Sequence, residues 1–189
     1  MRYLAIFASG SGTNAQAIVD YFKDRENYVV KLILSNNPDA FVLERAKNLN
    51  IPTEIFNKET FYQTQNILQI LEKENIGLIV LAGFLWLIPD YLLKNYPNRI
   101  INIHPALLPK YGGKGMYGMR VHEAVIANHD AETGITIHYV NEEYDKGNII
   151  FQAKCPIEPN DTPESIANKV HILEHEHYPK VIEKLLKEM

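Results

Sequence analysis

Tyr3-Leu4-Ala5-Ile6-Phe7-Ala8-Ser9-Gly10-Ser11-Gly12-Thr13-Asn14 opens the chain as an apolar run that ends on two closely spaced glycines. A continuous apolar run of this length, bounded by a turn signal, reads as a strand buried on both faces. The period then changes. Ala15, Ile18, Val19 and Phe22 recur at helical spacing, so residues 14–23 read as a helix. Strand, glycine loop and helix in that order begin a sheet whose strands are joined by crossover helices.

The same alternation continues outward from this unit. Residues 29–34 read as a second strand and 41–49 as a helix with Val42, Ala46 and Leu49 inward. A short strand at 53–56 precedes one helix over 60–74, with Ile67, Leu68 and Leu71 on one face. Residues 78–82, between Gly77 and Gly83, have the unbroken apolar character of a central strand. A short helix at 89–95 leads to a strand at 100–103, and a glycine-rich loop at 105–118 leads to a helix near 120–127. Two further strands, 135–140 and 149–153, need not be parallel to the rest. The end, 163–187, reads as a helix with Pro179 as the place for a bend. The expected architecture is one α/β domain over residues 1–189, a mostly parallel Rossmann-like sheet with helices on both faces. Ligands of such sheets bind beyond the carboxyl ends of the strands. Loops 9–14, 83–88 and 104–118 each follow a strand, so all three are expected along one rim.

Composition narrows the class of function. The chain of 189 residues is 46% hydrophobic and 22% charged, with a net charge of −4 and no basic cluster. That balance argues against a nucleic-acid partner, whose electrostatic footprint is positive. Cys155 is the only cysteine, so neither an internal disulfide nor a thiolate metal cluster can form, which fits a reducing compartment. Residues 1–8 are apolar but run directly into the glycine loop, and read as a first strand rather than a leader. The longest uncharged apolar run, 76–89, is short of the ~20 residues a bilayer span needs. A cytoplasmic protein without membrane contact is expected.

Three sites carry chemistry. In Ile101-Asn102-Ile103-His104-Pro105, a carboxamide and an imidazole stand two apart at a strand end, and so point to one face. Pro105 and Pro109 stiffen the exit. A neutral donor beside a titratable one suits an oxyanion developing on a carbonyl carbon. In loop 9–14, glycines allow close backbone approach and the helix start favours an anion. A plain turn with an Asn or Thr cap is the alternative. Gly10, Gly12 and Ala15 formally match the dinucleotide pattern, but Ser35-Asn36-Asn37 stands where the ribose-binding acid belongs. A phosphomonoester is therefore expected rather than NAD. Asp145-Lys146-Gly147 is either a turn or a carboxylate that reaches His104, orients it and raises its pKa. Of the other histidines, His138 reads as strand packing, and His122 and His129 as surface or capping groups. His171 and His175 have metal-ligand spacing, but with no cysteine or zinc motif nearby no metal is expected. Glu174, alone on its helix, reads as solvated.

Ser-Gly-Ser-Gly-Thr-Asn at 9–14, Leu-Ala-Gly-Phe at 81–84, Asn-Ile-His-Pro-Ala-Leu-Leu-Pro at 102–109 and Asp-Lys-Gly at 145–147 occur in an order that resembles the formyltransferase family. The likeness runs from Tyr3 to Tyr178, and the first loop resembles the glycinamide ribonucleotide branch. It implies transfer of a formyl group from 10-formyltetrahydrofolate, as co-substrate, to the primary amine of glycinamide ribonucleotide, a step of purine biosynthesis that needs no metal. It implies that Asn102, His104 and Asp145 are catalytic, that Gly12, Thr13 and Asn14 hold the substrate phosphate, and that Glu174 binds the ribose. It further implies a folate pocket of Leu85, Trp86, Leu87, Ile88, Asn102, Asn141, Glu142, Glu143, Tyr144 and Asp145, with Lys58 as a basic contact. Residues 110–120 fall where that family varies. The implied chemistry is direct: the amine attacks, Asn102 and an imidazolium at His104 meet the oxyanion, and Asp145 keeps the imidazole charged. Partners are then two small molecules, with monomer or homodimer both open. Three rivals fit less well. A formyltetrahydrofolate hydrolase carries an added N-terminal domain, and a methionyl-tRNA formyltransferase an added C-terminal one. A non-catalytic nucleotide sensor would need only the glycine loop.

Overall fold

The structure, a computed structural model, describes residues 1–189. Its elements are β1 (Arg2–Phe7), α1 (Thr13–Phe22), β2 (Tyr28–Ser35), α2 (Phe41–Asn48), β3 (Thr53–Ile55), α3 (Lys58–Tyr62), α4 (Asn66–Lys73), β4 (Ile76–Leu81), α5 (Asp90–Asn95), β5 (Ile100–His104), α6 (Met119–Ala127), β6 (Glu132–Tyr139), β7 (Ile149–Pro156) and α7 (Pro163–Glu188). The strands form one seven-stranded sheet in the order β3-β2-β1-β4-β5-β6-β7. Pairings from β3 through β5 are parallel, while β5–β6 and β6–β7 are antiparallel.

Alternation within β1 explains its unbroken apolar sequence. Leu4, Ile6 and Ala8 belong to a core shared with Ala15 and Ile18 of α1, Val42 and Ala46 of α2, and Ile166, Val170 and Ile182 of α7. Ala5 and Phe7 face the opposite core, with Phe61, Ile67, Leu71 and Leu92. Each face of the central strands is thus covered by helices, and neither can carry polar residues. Tyr178 of α7, fully buried, donates its hydroxyl to the carbonyls of Leu81 (2.9 Å) and Ile101 (3.4 Å), tying this helix to the ends of β4 and β5.

Two local expectations change. The helix expected over 60–74 is two helices, α3 and α4. Thr64 causes the break: its hydroxyl donates to the Thr60 carbonyl (2.8 Å) and accepts from the Asn66 amide (3.2 Å), taking partners a continuous helix would use. Asn57 and Thr60 then form a reciprocal cap that starts α3. Conversely, α7 runs through Pro179 as one helix of 26 residues, started by a Thr162–Ser165 capping box.

Strand order reverses between β1 and β4, because β2 and β3 extend one way and β5 the other. A crevice opens at such a switch point, beyond the carboxyl ends of the strands. The cleft of this molecule lies there.

Candidate active site

The cleft holds about 600 Å³ and is lined by residues of all three rim loops expected from the sequence, together with side chains of α6 and α7. One end is the glycine loop. Gly12 caps α1 with φ of 75°, and a Cβ there would lie 2.6 Å from Val42 Cβ, so both backbone shape and the approach of α2 require glycine. The loop is pinned from outside. Val42 donates its amide to the Gly10 carbonyl (3.1 Å) and Arg45 Nε donates to the Ser11 carbonyl (2.8 Å). Ser9 Oγ donates to Asn36 Oδ1 (2.7 Å). The residues standing in place of a ribose-binding acid therefore brace the loop. No side chain caps α1, so the amides of its first turn stay open toward an anion.

Glu174 is buried in the cleft wall, not solvated, and accepts 2.8 Å from Asn14 Nδ2. Burial pushes its carboxyl up, against the opposing pull of that hydrogen bond and of His171. Asn14 Oδ1 is buried without a partner and lines the same space.

The other end is built on β5. Asn102 and His104 point to one face, as their spacing requires. The antiparallel register places His138 directly opposite Asn102, and Thr136 opposite His104. Asn102 Nδ2 lies 3.1 Å from His138 Nε2, and His138 Nδ1 lies 2.8 Å from its neighbour's carbonyl at Tyr139. His104 Nε2 lies 2.7 Å from the Tyr111 carbonyl. A carbonyl only accepts, so Nε2 carries the proton and the lone pair of the neutral ring is on Nδ1.

Asp145 completes the group. It is held in the left-handed region (φ 57°) and receives the Gly113 amide at 2.9 Å on Oδ2. Its oxygens lie 3.6 Å from His104 Nδ1 and 3.6 Å from His138 Nε2, within reach of either ring. Burial pushes the carboxyl up, but His138, His104 and the Gly113 amide together hold it below its usual range. The two readings left open for this segment are both true: it turns the chain and it reaches His104. The expected rise of the imidazole pKa is not obtained. Burial lowers His104 more than Asp145 and the Tyr111 carbonyl raise it, so the ring is neutral near pH 7.

The remaining expected residues divide. Leu85, Trp86, Leu87 and Ile88 line the cleft, with Glu143, Tyr144 and Asp145. Asn141 and Glu142 are outside it, and Asn141 Oδ1 instead accepts the Glu143 amide (3.1 Å) to shape the turn. Lys58 is also outside the lining, with Nζ 5.9 Å from the Trp86 ring centroid. The sequence reading missed His122, His138, His171, Lys114 and Arg120, all of which line the cleft. His122 is buried, not superficial, its Nδ1 has no partner, and burial lowers its pKa to about 4. It is adjacent in the helix to Val121 and one turn from Val125, both buried, which was a usable signal. His171 precedes Glu174 by three helical positions and therefore shares its face. No group of three or more His, Cys, Asp or Glu side chains is arranged to hold a metal ion.

An anion-ready helix start and an amide–imidazole–carboxylate set, facing each other across a switch-point cleft, define an enzyme class: group transfer at a carbonyl carbon. The chain belongs to the formyl transferase family, whose model it matches over residues 2–182. It is 41% identical to phosphoribosylglycinamide formyltransferase of Bacillus subtilis, across 98% of this chain and 95% of that protein. It is 40% identical to the chloroplastic phosphoribosylglycinamide formyltransferase of Arabidopsis thaliana, across 96% of this chain but 64% of that longer protein. The crystal structure of glycinamide ribonucleotide transformylase 1 from Geobacillus kaustophilus superposes with a TM-score of 0.88 at 40% identity, covering 98% of this chain and 99% of that one.

Proposed function

We propose that this chain, acting as one catalytic domain over residues 1–189, transfers the formyl group of 10-formyltetrahydrofolate to the primary amine of glycinamide ribonucleotide. One observation carries the reading: a single cleft joins the open start of α1 to Asn102, His104 and Asp145. A phosphate on the amides of Gly12, Thr13 and Asn14 directs the rest of the nucleotide along the cleft, past Asn14 and Glu174. These supply acceptors for ribose hydroxyls. The folate enters from the opposite side, between the 85–88 segment and the 143–145 turn.

The free amine attacks the formyl carbon, and the carbonyl π electrons move to oxygen. Asn102 donates a hydrogen bond to that oxyanion. Neutral His104 takes the proton of the new ammonium on Nδ1, and the resulting imidazolium is stabilised by Asp145, already ionised 3.6 Å away. The same proton passes to folate N10 as the C–N10 bond breaks. His104 thus starts as a base and finishes as the acid, which suits a ring that is neutral beforehand. The site holds its proton carrier and its oxyanion donor on one strand face, so neither has to move during the reaction.

The test is a coupled assay with purified protein, 10-formyltetrahydrofolate and glycinamide ribonucleotide, reading folate absorbance. Tetrahydrofolate release that depends on the ribonucleotide is expected. Release without the ribonucleotide would assign a hydrolase, and no release in either mixture would overturn the reading.

A further inference from the structure

A carboxamide can serve an oxyanion only if its NH₂ end, not its oxygen, faces the reacting carbon. Rotating Asn102 by a half-turn about its last bond exchanges the two ends at almost no change in shape. With the wrong end forward, the site would repel the charge it must stabilise. Something must therefore select the orientation, and nothing in β5 itself does so.

We infer that His138 is the positioning residue that sets Asn102. Its two ring nitrogens decide the matter, given Asn102 as the oxyanion donor of the proposed function. His138 Nδ1 lies 2.8 Å from the carbonyl of Tyr139, which can only accept, so Nδ1 carries the hydrogen. With the hydrogen on Nδ1, Nε2 is left as an acceptor through its lone pair, with Asp145 Oδ1 farther off at 3.6 Å. Nε2 lies 3.1 Å from Asn102 Nδ2, a partner that can donate. The opposite orientation would set the amide oxygen against that lone pair. The carboxamide is thereby turned NH₂ first, one hydrogen spent on His138 and the second left for the formyl oxygen.

Fold and burial reinforce the selection. His138 pairs directly across from Asn102 in the β5–β6 ladder, so backbone hydrogen bonds hold the two Cα atoms at fixed separation. His138 is only 2% exposed, so water cannot substitute for either of its partners. A buried imidazole is costly unless both nitrogens are satisfied, and here both are. The strand neighbours Ile135 and Ile137 pack in the core on the other face, which leaves His138 as a polar side chain placed for Asn102 and not as filler.

The test separates positioning from packing. Removing one oxyanion donor typically lowers kcat by about 10²–10³. His138→Ala is expected to lower kcat by about 10–10², with KM for both substrates within about threefold of the parent, because neither substrate is held by His138. His138→Gln, whose amide oxygen can accept in place of Nε2, is expected to recover part of that loss. In an Asn102→Ala background, His138→Ala is expected to lower kcat by much less than in the parent, since there is no longer a carboxamide to orient and only its contact with Asp145 is lost. Losses that multiply in the double variant would overturn the inference. A second measurement needs no variant and no activity: nitrogen-15 NMR of the imidazoles in the parent protein. The Nδ1–H tautomer at His138 is expected, and an Nε2–H tautomer would overturn the inference even if the formyl-transfer reading stood. An Asn102→Ala enzyme with the parent kcat would instead count against the reading of the site.

Discussion

Asn102 and His104 act on the same few ångströms, yet their loss should look different. Asn102→Ala removes a donor that matters only once negative charge has formed on oxygen. Its kcat is expected to fall about 10²–10³ while KM holds. His104→Ala removes the proton carrier as well and should fall at least as far. Thermal unfolding midpoints near the parent's would show that neither loss is a folding defect, and near-normal turnover in either variant would remove these residues from the mechanism. Glu174 makes a different kind of prediction. Its burial raises the carboxyl, so the fold holds this proton more tightly than the unfolded chain does. The associated stability is present below the ordinary glutamate range and is lost as pH rises through the raised value. Above that value the ligand-free protein carries an unfavourable buried charge, which the substrate hydroxyls offset on binding. Glu174→Gln keeps an acceptor for Asn14 and removes the charge. It should raise the thermal midpoint at pH 7, with the gain disappearing toward pH 4, and should raise the KM for the ribonucleotide. A lower midpoint at pH 7 would contradict the assigned direction.

Among the elements, α1 with its loop is the most constrained. Gly12→Ala places a methyl against Val42 in a backbone region that disfavours side chains, at a cost of about 1–3 kcal/mol in strain alone. The loop should respond by shifting, and the KM for the ribonucleotide should rise tenfold or more while the folate KM changes little. Adding Val42→Ala removes the clash but not the positive φ, so recovery of the ribonucleotide KM should be partial. No change in Gly12→Ala would show that the loop does not hold the phosphate. This element was legible in sequence because its signals are local: a buried apolar run, two glycines and a helical period. The 60–74 segment was misread for an equally local reason, since apolar spacing persists across Thr64 although its hydroxyl diverts the backbone bonds. The approach of Asp145 to His104 was legible only as one of two open readings and through the family resemblance, and the pairing of His138 with Asn102 was not legible. Both depend on which way β6 pairs with β5, and a one-residue slip would send His138 to the other face.

At the scale of the whole molecule, burial that builds the cleft also makes the protein acid-sensitive. His104 is lowered by burial, and His122, similarly enclosed, titrates at about 4 instead of 6.5. In the unfolded chain both rings titrate near 6.5. Between about pH 6.5 and 4 the unfolded chain therefore binds protons that the fold refuses, and stability falls as pH falls through that window. Activity should follow a related course. His104 must be neutral to take the amine's proton, so the acid limb of kcat/KM should lie below pH 6.5 for this group. The two histidines can be separated. His122→Gln removes one titrating ring without touching the amide–imidazole–carboxylate set. Urea unfolding from pH 7 to 4.5 should then show a shallower loss of stability than the parent, while the acid limb of activity stays in place. His104→Gln should also flatten the stability profile, and with it turnover should collapse at every pH. An unchanged stability slope in His122→Gln would mean that its ring protonates freely in the folded state. The cleft around α6 would then be open to water, and its unpartnered nitrogen would no longer be a buried group awaiting a ligand.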